Sequence, residues 1–398
     1  MAVGRAASRL ARGGRVLVGR DTRPSSAWLA GCVAGGAAAQ GSDVGDAGVV
    51  STPMLGVALA DGLGAAGVMV TASHNPWPEN GFKVFGAGGA KPDDDLAREI
   101  EGWIAADPVE GTPGALGAVD AVGAWELRME LEATGLTGRR VAIDLAHGGA
   151  TAALAWLRRL PVQWEIIGDG SGLTNDGVGS EHPGALMAAV VERGCAAGIA
   201  LDGDGDRCVL VDERGHRVDG DALTWLLARD REVRGLAVTV MSNAALEPAL
   251  PGVRVVRTAV GDRHLKEAMV RNGLALGAEE SGHVLFADFP SGDGLLAGLR
   301  GLTAALRVSE RVSDAFAPFV PVPRRLTKVR VSRRPPLSEL PRFSAADRDA
   351  VARLGGGRTL VRYSGTEPYL RILVEGPEAS TVDAVSAELT AIAREELA

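Results

Sequence analysis

An α/β fold, three rounds of alternating strands and helices followed by a distinct α+β tail, is the class this sequence predicts. Three observations predict it. Apolar runs of strand length recur along the chain, separated by segments of helix length, which is how β-α units around parallel strands read. The 398 residues leave room for roughly two to four domains at about 150 residues each. That length buries sizeable cores without disulfide or metal staples. Hydrophobic residues make up 46% of the chain and charged residues 23%, a globular composition that excludes overall disorder.

The first round opens with an apolar strand at 15–18 that runs into a polar loop at 20–26, where Ser25 or Ser26 can cap a helix reaching 40. A second strand ends over 49–53 and a third spans 67–70. Residues 107–122, rich in Gly, Pro and Ala, read as a linker. The second round has strands at 140–145 and 162–167, a helix over 150–160, and a helix over 183–193 with Pro183 in its first turn. Strands at 198–201 and 208–211 flank an acidic loop. The third round has strands at 236–241, 253–258 and 274–278 and a helix over 262–272. Residues 320–325, with two prolines, read as a hinge. In the tail, strands at 358–363 and 369–375 surround a tight loop, and a helix over 380–397 closes the chain. These rounds divide the chain into segments 1–122, 123–219, 220–322 and 323–398.

Charge and cysteine usage narrow the function classes. The formal net charge of -8 makes a poor partner for a nucleic-acid backbone. Cys32, Cys195 and Cys208 are scattered and odd in number, which is neither a disulfide framework nor a zinc pattern and fits a reducing compartment. Residues 1–12 carry arginines but no apolar signal core. The longest apolar run, 27–39, is Gly- and Ala-rich and too short to span a bilayer. The expectation is a cytoplasmic protein with no membrane or nucleic-acid partner. Lysine stands only at Lys83, Lys91, Lys266 and Lys328.

Four loops carry chemistry. Thr71-Ala72-Ser73-His74-Asn75-Pro76 follows an apolar strand, at the end where open α/β sheets place ligands. Ser73 there is a nucleophile or phosphoryl carrier, or part of a Ser/Asn turn before Pro76. Asp202-Gly203-Asp204-Gly205-Asp206-Arg207 sets three carboxylates at i, i+2 and i+4. Such charges repel unless a hard cation neutralises them. Glu213 at the twelfth position suggests an EF-hand, but Arg207 replaces the glycine required at the sixth and a strand precedes the loop. A Mg2+ site open to a phosphate oxygen is the better reading, with a solvated acidic turn as the alternative. In Glu279-Glu280-Ser281-Gly282-His283, Glu279 and Ser281 suit two adjacent hydroxyls of a sugar, or the stretch is an ordinary polar loop. Finally, Arg362, Ser364, Gly365, Thr366 and Arg371 supply guanidinium forks, hydroxyls and backbone donors. That is a phosphate cradle, or a hairpin with solvated arginines. Together the loops point to a phosphosugar held between domains.

The same four loops, in this order over nearly the whole chain, resemble the α-D-phosphohexomutase superfamily. Within it, Gly179-Ser180-Glu181-His182-Pro183, Val260-Gly261-Asp262-Arg263 and residues 362–368 are most similar to the bacterial phosphoglucosamine mutase branch. Departures are Glu280 and Ala278, where that branch usually has Gln and Gly. A Phe-Gly-Thr-Asp-Gly-Ile-Arg-Gly stretch, usual in the family, is also absent from residues 1–14, which predicts either a start further upstream or a divergent member. The resemblance implies three similar mixed α/β domains plus a smaller C-terminal α+β domain around a central cleft. It implies interconversion of glucosamine 6-phosphate and glucosamine 1-phosphate through a phosphoserine and a 1,6-bisphosphate, feeding UDP-N-acetylglucosamine and cell-wall precursor synthesis. A phosphoglucomutase or phosphomannomutase is the alternative within the class; a Mg2+-dependent sugar phosphatase and a non-catalytic phosphosugar-binding protein lie outside it.

Residue by residue, the resemblance implies that Ser73 carries the phosphoryl group, with Asp202, Asp204, Asp206 and Ser73 on Mg2+. It gives Lys83, in Asn80-Gly81-Phe82-Lys83, the part of general acid/base, sets Arg207 beside the transferring phosphate and makes His74 and His283 supporting residues. Arg20, in Gly19-Arg20-Asp21-Thr22-Arg23, falls in a family loop at the cleft. A hexose 1,6-bisphosphate is the implied activator.

Overall fold

The chain follows the predicted alternation but folds each round into a mixed sheet. A computed structural model describes residues 1–106, 112–130, 132–364 and 368–397. It divides into two compact units, residues 1–239 with 256–318, and residues 240–255 with 319–398.

In the first unit, strands β1 (Val16–Arg20), β2 (Val44–Val49), β3 (Ala66–Val70), β4 (Phe82–Phe85) and β5 (Leu116–Ala118) form a sheet of order β4-β3-β1-β2-β5. β1 runs parallel to β2 and β3, whereas β4 returns antiparallel along β3. The next sheet repeats this plan. It contains β6 (Arg140–Asp144), β7 (Gln163–Ile167), β8 (Ala197–Leu201), β9 (Cys208–Asp212) and β10 (Arg217–Val218), in the order β10-β9-β8-β6-β7. Here β9 returns antiparallel along β8. The third is β12-β11-β13-β14, from β11 (Gly235–Thr239), β12 (Arg254–Thr258), β13 (Leu276–Ala278) and β14 (Val284–Phe286). Here β14 returns along β13. The serine, aspartate and glutamate loops are the β3–β4, β8–β9 and β13–β14 connections. Each chemistry-bearing loop is thus the turn from a buried strand into an antiparallel return strand, so its backbone is tied at both ends to one sheet.

The sequence places helices on these sheets through polar caps. Asp93, Asp219 and Asp293 each accept a backbone N–H from the third residue after them, starting helices Asp94–Ala105, Gly220–Asp230 and Gly294–Val308. Ser51 does the same for helix Thr52–Ala60. Ser25 stands at the start of helix Ser26–Ala39 without capping it; its Oγ accepts from Asn80 Nδ2. Helix Ala2–Ala11 packs against Ser26–Ala39 through small residues. A Cβ on Gly4 would lie 1.9 Å from the Val33 carbonyl oxygen, and one on Gly36 2.1 Å from that of Met1.

The second unit holds an antiparallel sheet of order β15-β17-β16, from β15 (Arg324–Arg330), β16 (Arg358–Tyr363) and β17 (Tyr369–Glu375). Val329, Leu370, Ile372 and Val374 alternate onto one face, where Phe343 of helix Pro341–Arg353 and Val385 and Leu389 of helix Ala379–Leu397 cover them.

Several local expectations change. Of the predicted linker at 107–122, residues 107–111 lie outside the described residues, while Leu116–Ala118 pairs with β2 and helix Ala121–Met129 begins. A parallel partner supplies there the order that Gly-rich letters do not. β2 ends at Val49, because Ser51 and Pro53 open a helix. β15 already begins at Arg324, inside the expected hinge.

Candidate active site: a buried serine–aspartate centre

Ser73 takes a left-handed backbone, φ 52°, which is uncommon outside glycine. Its N–H donates to Thr71 Oγ1 at 2.9 Å, and its Oγ donates to Asp202 Oδ2 at 2.6 Å. The turn therefore aims the hydroxyl of one sheet's loop at the carboxylate of the next. His74 Nδ1 accepts from Arg207 Nη1 at 3.1 Å. Burial first, and then the Arg207 charge, hold the His74 imidazole below its ordinary pKa.

The three aspartates are buried, and their carboxylate oxygens lie within 4.8 Å of one another. Two glycines let the loop close this tightly. Gly205 has φ 75°, and a Cβ on Gly203 would come within 2.6 Å of the Ser73 carbonyl oxygen. Asp202 Oδ1 accepts the N–H groups of Asp206 and Arg207. Lys83, on the return strand β4, puts Nζ 2.6 Å from Asp204 Oδ2 and 2.7 Å from Asp206 Oδ2. Burial alone would lower the Lys83 pKa, but the charges of Asp204, Asp206 and Asp202 outweigh it and keep the ammonium protonated. Burial, reinforced by Asp206 and Asp204, pushes Asp202 up to about 7. Asp204 Oδ1 and Asp206 Oδ1 are buried without a hydrogen-bond partner. Three clustered hard oxygen donors, with Asp204 Oδ1 and Asp206 Oδ1 outside any hydrogen bond, suit a divalent cation.

The third loop joins the same centre. Glu279 Oε1 accepts the Gly261 N–H at 3.0 Å and its Oε2 accepts from Ser281 Oγ at 3.2 Å. Gly282, with φ 87°, lies against the Cys208 carbonyl, where a Cβ would come within 1.8 Å. That contact seats the glutamate loop on the start of β9. His283 then stands between Asp206 and Asp262, 3.6 Å from each. Burial opposes its charge, but the two carboxylates push its pKa up to about 10. Lys91 pairs with Asp262 at 2.5 Å. A cavity of about 420 Å³ borders Asp206, Asp262, Arg263 and His283.

Within the first unit, the structure thus brings together Ser73, His74, Lys83, Asp202, Asp204, Asp206 and Arg207, with Glu279 and Ser281 linked through His283. The remaining predicted residues lie in the second unit. Arg362 and Arg371 are cross-strand partners, and Lys328 is Arg371's partner on its other side. Three cations so share one rung. Like charges directly opposite one another destabilise a sheet. Ser364 donates its N–H to the Tyr369 carbonyl, closing the turn; Gly365 and Thr366 lie outside the described residues.

Sequence reasoning missed Lys328, whose register only the sheet reveals, and Asp262 as the partner of His283. It named Arg20 of residues 19–23 and gave no part to Arg23. Arg20 faces exposed Asp46 at 3.5 Å, whereas Arg23 is buried beneath the serine loop.

Residues 1–108 match phosphoglucomutase/phosphomannomutase, alpha/beta/alpha domain I, residues 219–321 match domain III of the same family, and residues 326–392 match its C-terminal domain. The chain is 39% identical to a phosphoglucosamine mutase of Symbiobacterium thermophilum, over 100% of this chain and 94% of that one. It is 40% identical to a phosphoglucosamine mutase of Lacticaseibacillus casei, over 93% and 86%. A crystal structure of a phosphoglucomutase/phosphomannomutase family protein from Burkholderia thailandensis shares the fold with a TM-score of 0.82, at 23% identity, over 99% of this chain and 92% of that one.

Proposed function

We propose, from the premise that this chain belongs to the phosphoglucomutase/phosphomannomutase family, that it interconverts glucosamine 6-phosphate and glucosamine 1-phosphate. The observation that carries this reading is the Ser73 hydroxyl 2.6 Å from Asp202, inside a buried three-aspartate cluster. The resting enzyme carries its phosphoryl group on Ser73. Asp202, Asp204 and Asp206 would hold Mg2+, which supplies charge neutralisation for the phosphoryl group in flight. Its bond to Ser73 Oγ breaks as a bond to a sugar oxygen forms, and the proton that the sugar hydroxyl loses is matched by the one that Ser73 Oγ gains on returning to a hydroxyl. The product is a 1,6-bisphosphate, and return of its other phosphoryl group to Ser73 completes the exchange. A hexose 1,6-bisphosphate primes the serine.

Arg207, held by His74, is placed to pair with phosphoryl oxygens. Lys83 serves as the general acid/base; the two carboxylates that hold its ammonium stabilise the proton, so it gives or takes one only after it has left them. Glu279 and Ser281 accept and donate to the sugar hydroxyls. The Lys328–Arg371–Arg362 rung, with Ser364, Gly365 and Thr366, holds the phosphate that does not react, and binding there orients the reacting hydroxyl. The segments 1–122, 123–219, 220–322 and 323–398 act as four domains, a division supported by each sheet's lying within one of them. The setting is cytoplasmic, where the free cysteines Cys32, Cys195 and Cys208 stay reduced. Among the described residues no helix is long and apolar enough to cross a membrane.

Phosphorus NMR tests this directly. The protein receives Mg2+, a trace of glucose 1,6-bisphosphate and the 6-phosphates of glucosamine, glucose, mannose and N-acetylglucosamine in turn. The expected result is fastest growth of the glucosamine 1-phosphate signal. A faster glucose or mannose signal assigns the protein to the sister activity, with Glu280 and Ala278 as the first residues to exchange. Inorganic phosphate alone would make it a phosphatase.

A further inference from the structure

A left-handed, non-glycine serine persists only where its surroundings over-determine it, and here both peptide groups that flank Ser73 are clamped. The N–H side is held by Thr71 Oγ1, which in turn donates to Asp21 Oδ2 at 2.7 Å. The carbonyl side is held by Arg23, whose Nη2 donates to the Ser73 and Asn75 carbonyls at 2.8 Å each. The Nη1 of Arg23 donates to the carbonyls of Pro76 at 2.6 Å and Glu79 at 3.0 Å. Its Nε is bound to Asp21 Oδ2 at 2.9 Å, so one carboxylate anchors both arms. Asn175 Nδ2 donates to the same Ser73 and Asn75 carbonyls, at 2.8 and 3.0 Å. Arg23 is 2% exposed. A guanidinium this deeply buried is costly unless its donors are satisfied, and four loop carbonyls satisfy it.

We infer that Arg23, anchored by Asp21 and seconded by Asn175, is a positioning residue that fixes the backbone of Ser73 and so the line along which its phosphoryl group leaves and returns. The inference rests on the phosphoserine reading above. Arg23 touches no reacting atom; it acts through the serine carbonyl. A lysine cannot replace it, because one ammonium has three donors and no planar fork with which to span four carbonyls.

The test uses the full chain with Arg23→Lys and Asn175→Ala, the second of which leaves no buried charge behind. Small misplacements of a reacting group cost about 100-fold in rate. The expected result is a kcat drop of about that size for Arg23→Lys and a smaller one for Asn175→Ala, with KM for the sugar phosphate changed less than about threefold. Phosphorylation of Ser73 by glucose 1,6-bisphosphate, read from intact-protein mass, slows in parallel. The 13C signals of Ser73, assigned by their loss in Ser73→Ala, move away from their left-handed values in both variants. Folded variants with wild-type kcat, phosphorylation rate and Ser73 signals overturn the clamp. If the wild-type protein itself takes no phosphoryl group on Ser73, the mutase reading falls. The Ser73 signals of the two variants then decide the clamp alone, and unchanged signals overturn it.

Discussion

The serine–aspartate centre and the cation rung of the second unit arrange charge in opposite ways. In the centre, buried carboxylates face donors and cations of the same unit. Ser73 meets Asp202, Lys83 meets Asp204 and Asp206, and His283 bridges Asp206 and Asp262. On the rung, Lys328 is exposed and its cross-strand partner, Arg371, is a cation like itself, as is Arg362 on the far side of Arg371. The centre is organised before substrate arrives, as the stabilisation of a moving charge requires. The rung instead sets three positive side chains in line across one sheet. Under the proposed function, the difference teaches that geometry matters where bonds change and charge suffices where a group is only held.

Experiments that break the comparison lie in the centre. Ser73→Ala is expected to lower turnover by at least about 10³-fold while binding of the sugar phosphate, followed by calorimetry, persists. Surviving turnover would remove the phosphoserine mechanism. Chelation of divalent ions is expected to stop turnover and leave that binding measurable; a chelator-resistant rate would remove the metal from the three aspartates. Gly203→Ala forces a Cβ against the Ser73 carbonyl. It is expected to lower both thermal stability and kcat, by about 1–3 kcal/mol in stability, seen as a lower unfolding midpoint.

Experiments on the rung sharpen the comparison instead. A hydrogen bond to a charged group contributes about 1.5–3 kcal/mol. Arg362→Ala is therefore expected to lower kcat/KM by about 10- to 150-fold, mostly through KM. A loss confined to kcat would give Arg362 a place in the chemistry. Lys328→Gln is expected to have the smallest effect, less than about tenfold, and one that shrinks as salt rises. A salt-independent loss would mean that Lys328 packs rather than attracts.

Much of this was legible from the letters. Helix Asp262–Asn272 and strands Arg358–Tyr363 and Tyr369–Glu375 fall where periodicity and turn residues place them. The three aspartates, Ser73 and Lys83 announced themselves by spacing and by flanking motif. What stayed hidden depended on partners distant in sequence. Helix Ala2–Ala11 is short and Ala-rich, and the close approach of Gly4 to Val33 that seats it appears only when two helices cross. Asp262 gains its meaning from His283 and Lys91. Arg23 looked like one polar residue of a polar loop, because nothing local shows that four carbonyls will surround it.

The ammonium of Lys83 also bears on the order in which the molecule is assembled. Three buried carboxylates without a counter-charge would push their loop apart; the chain supplies its own cation from β4. The centre can therefore close on a newly made polypeptide before any ion reaches it. A divalent cation at the proposed site would enter by exchange with an ammonium already in place, so closing the centre and loading the metal are separable events.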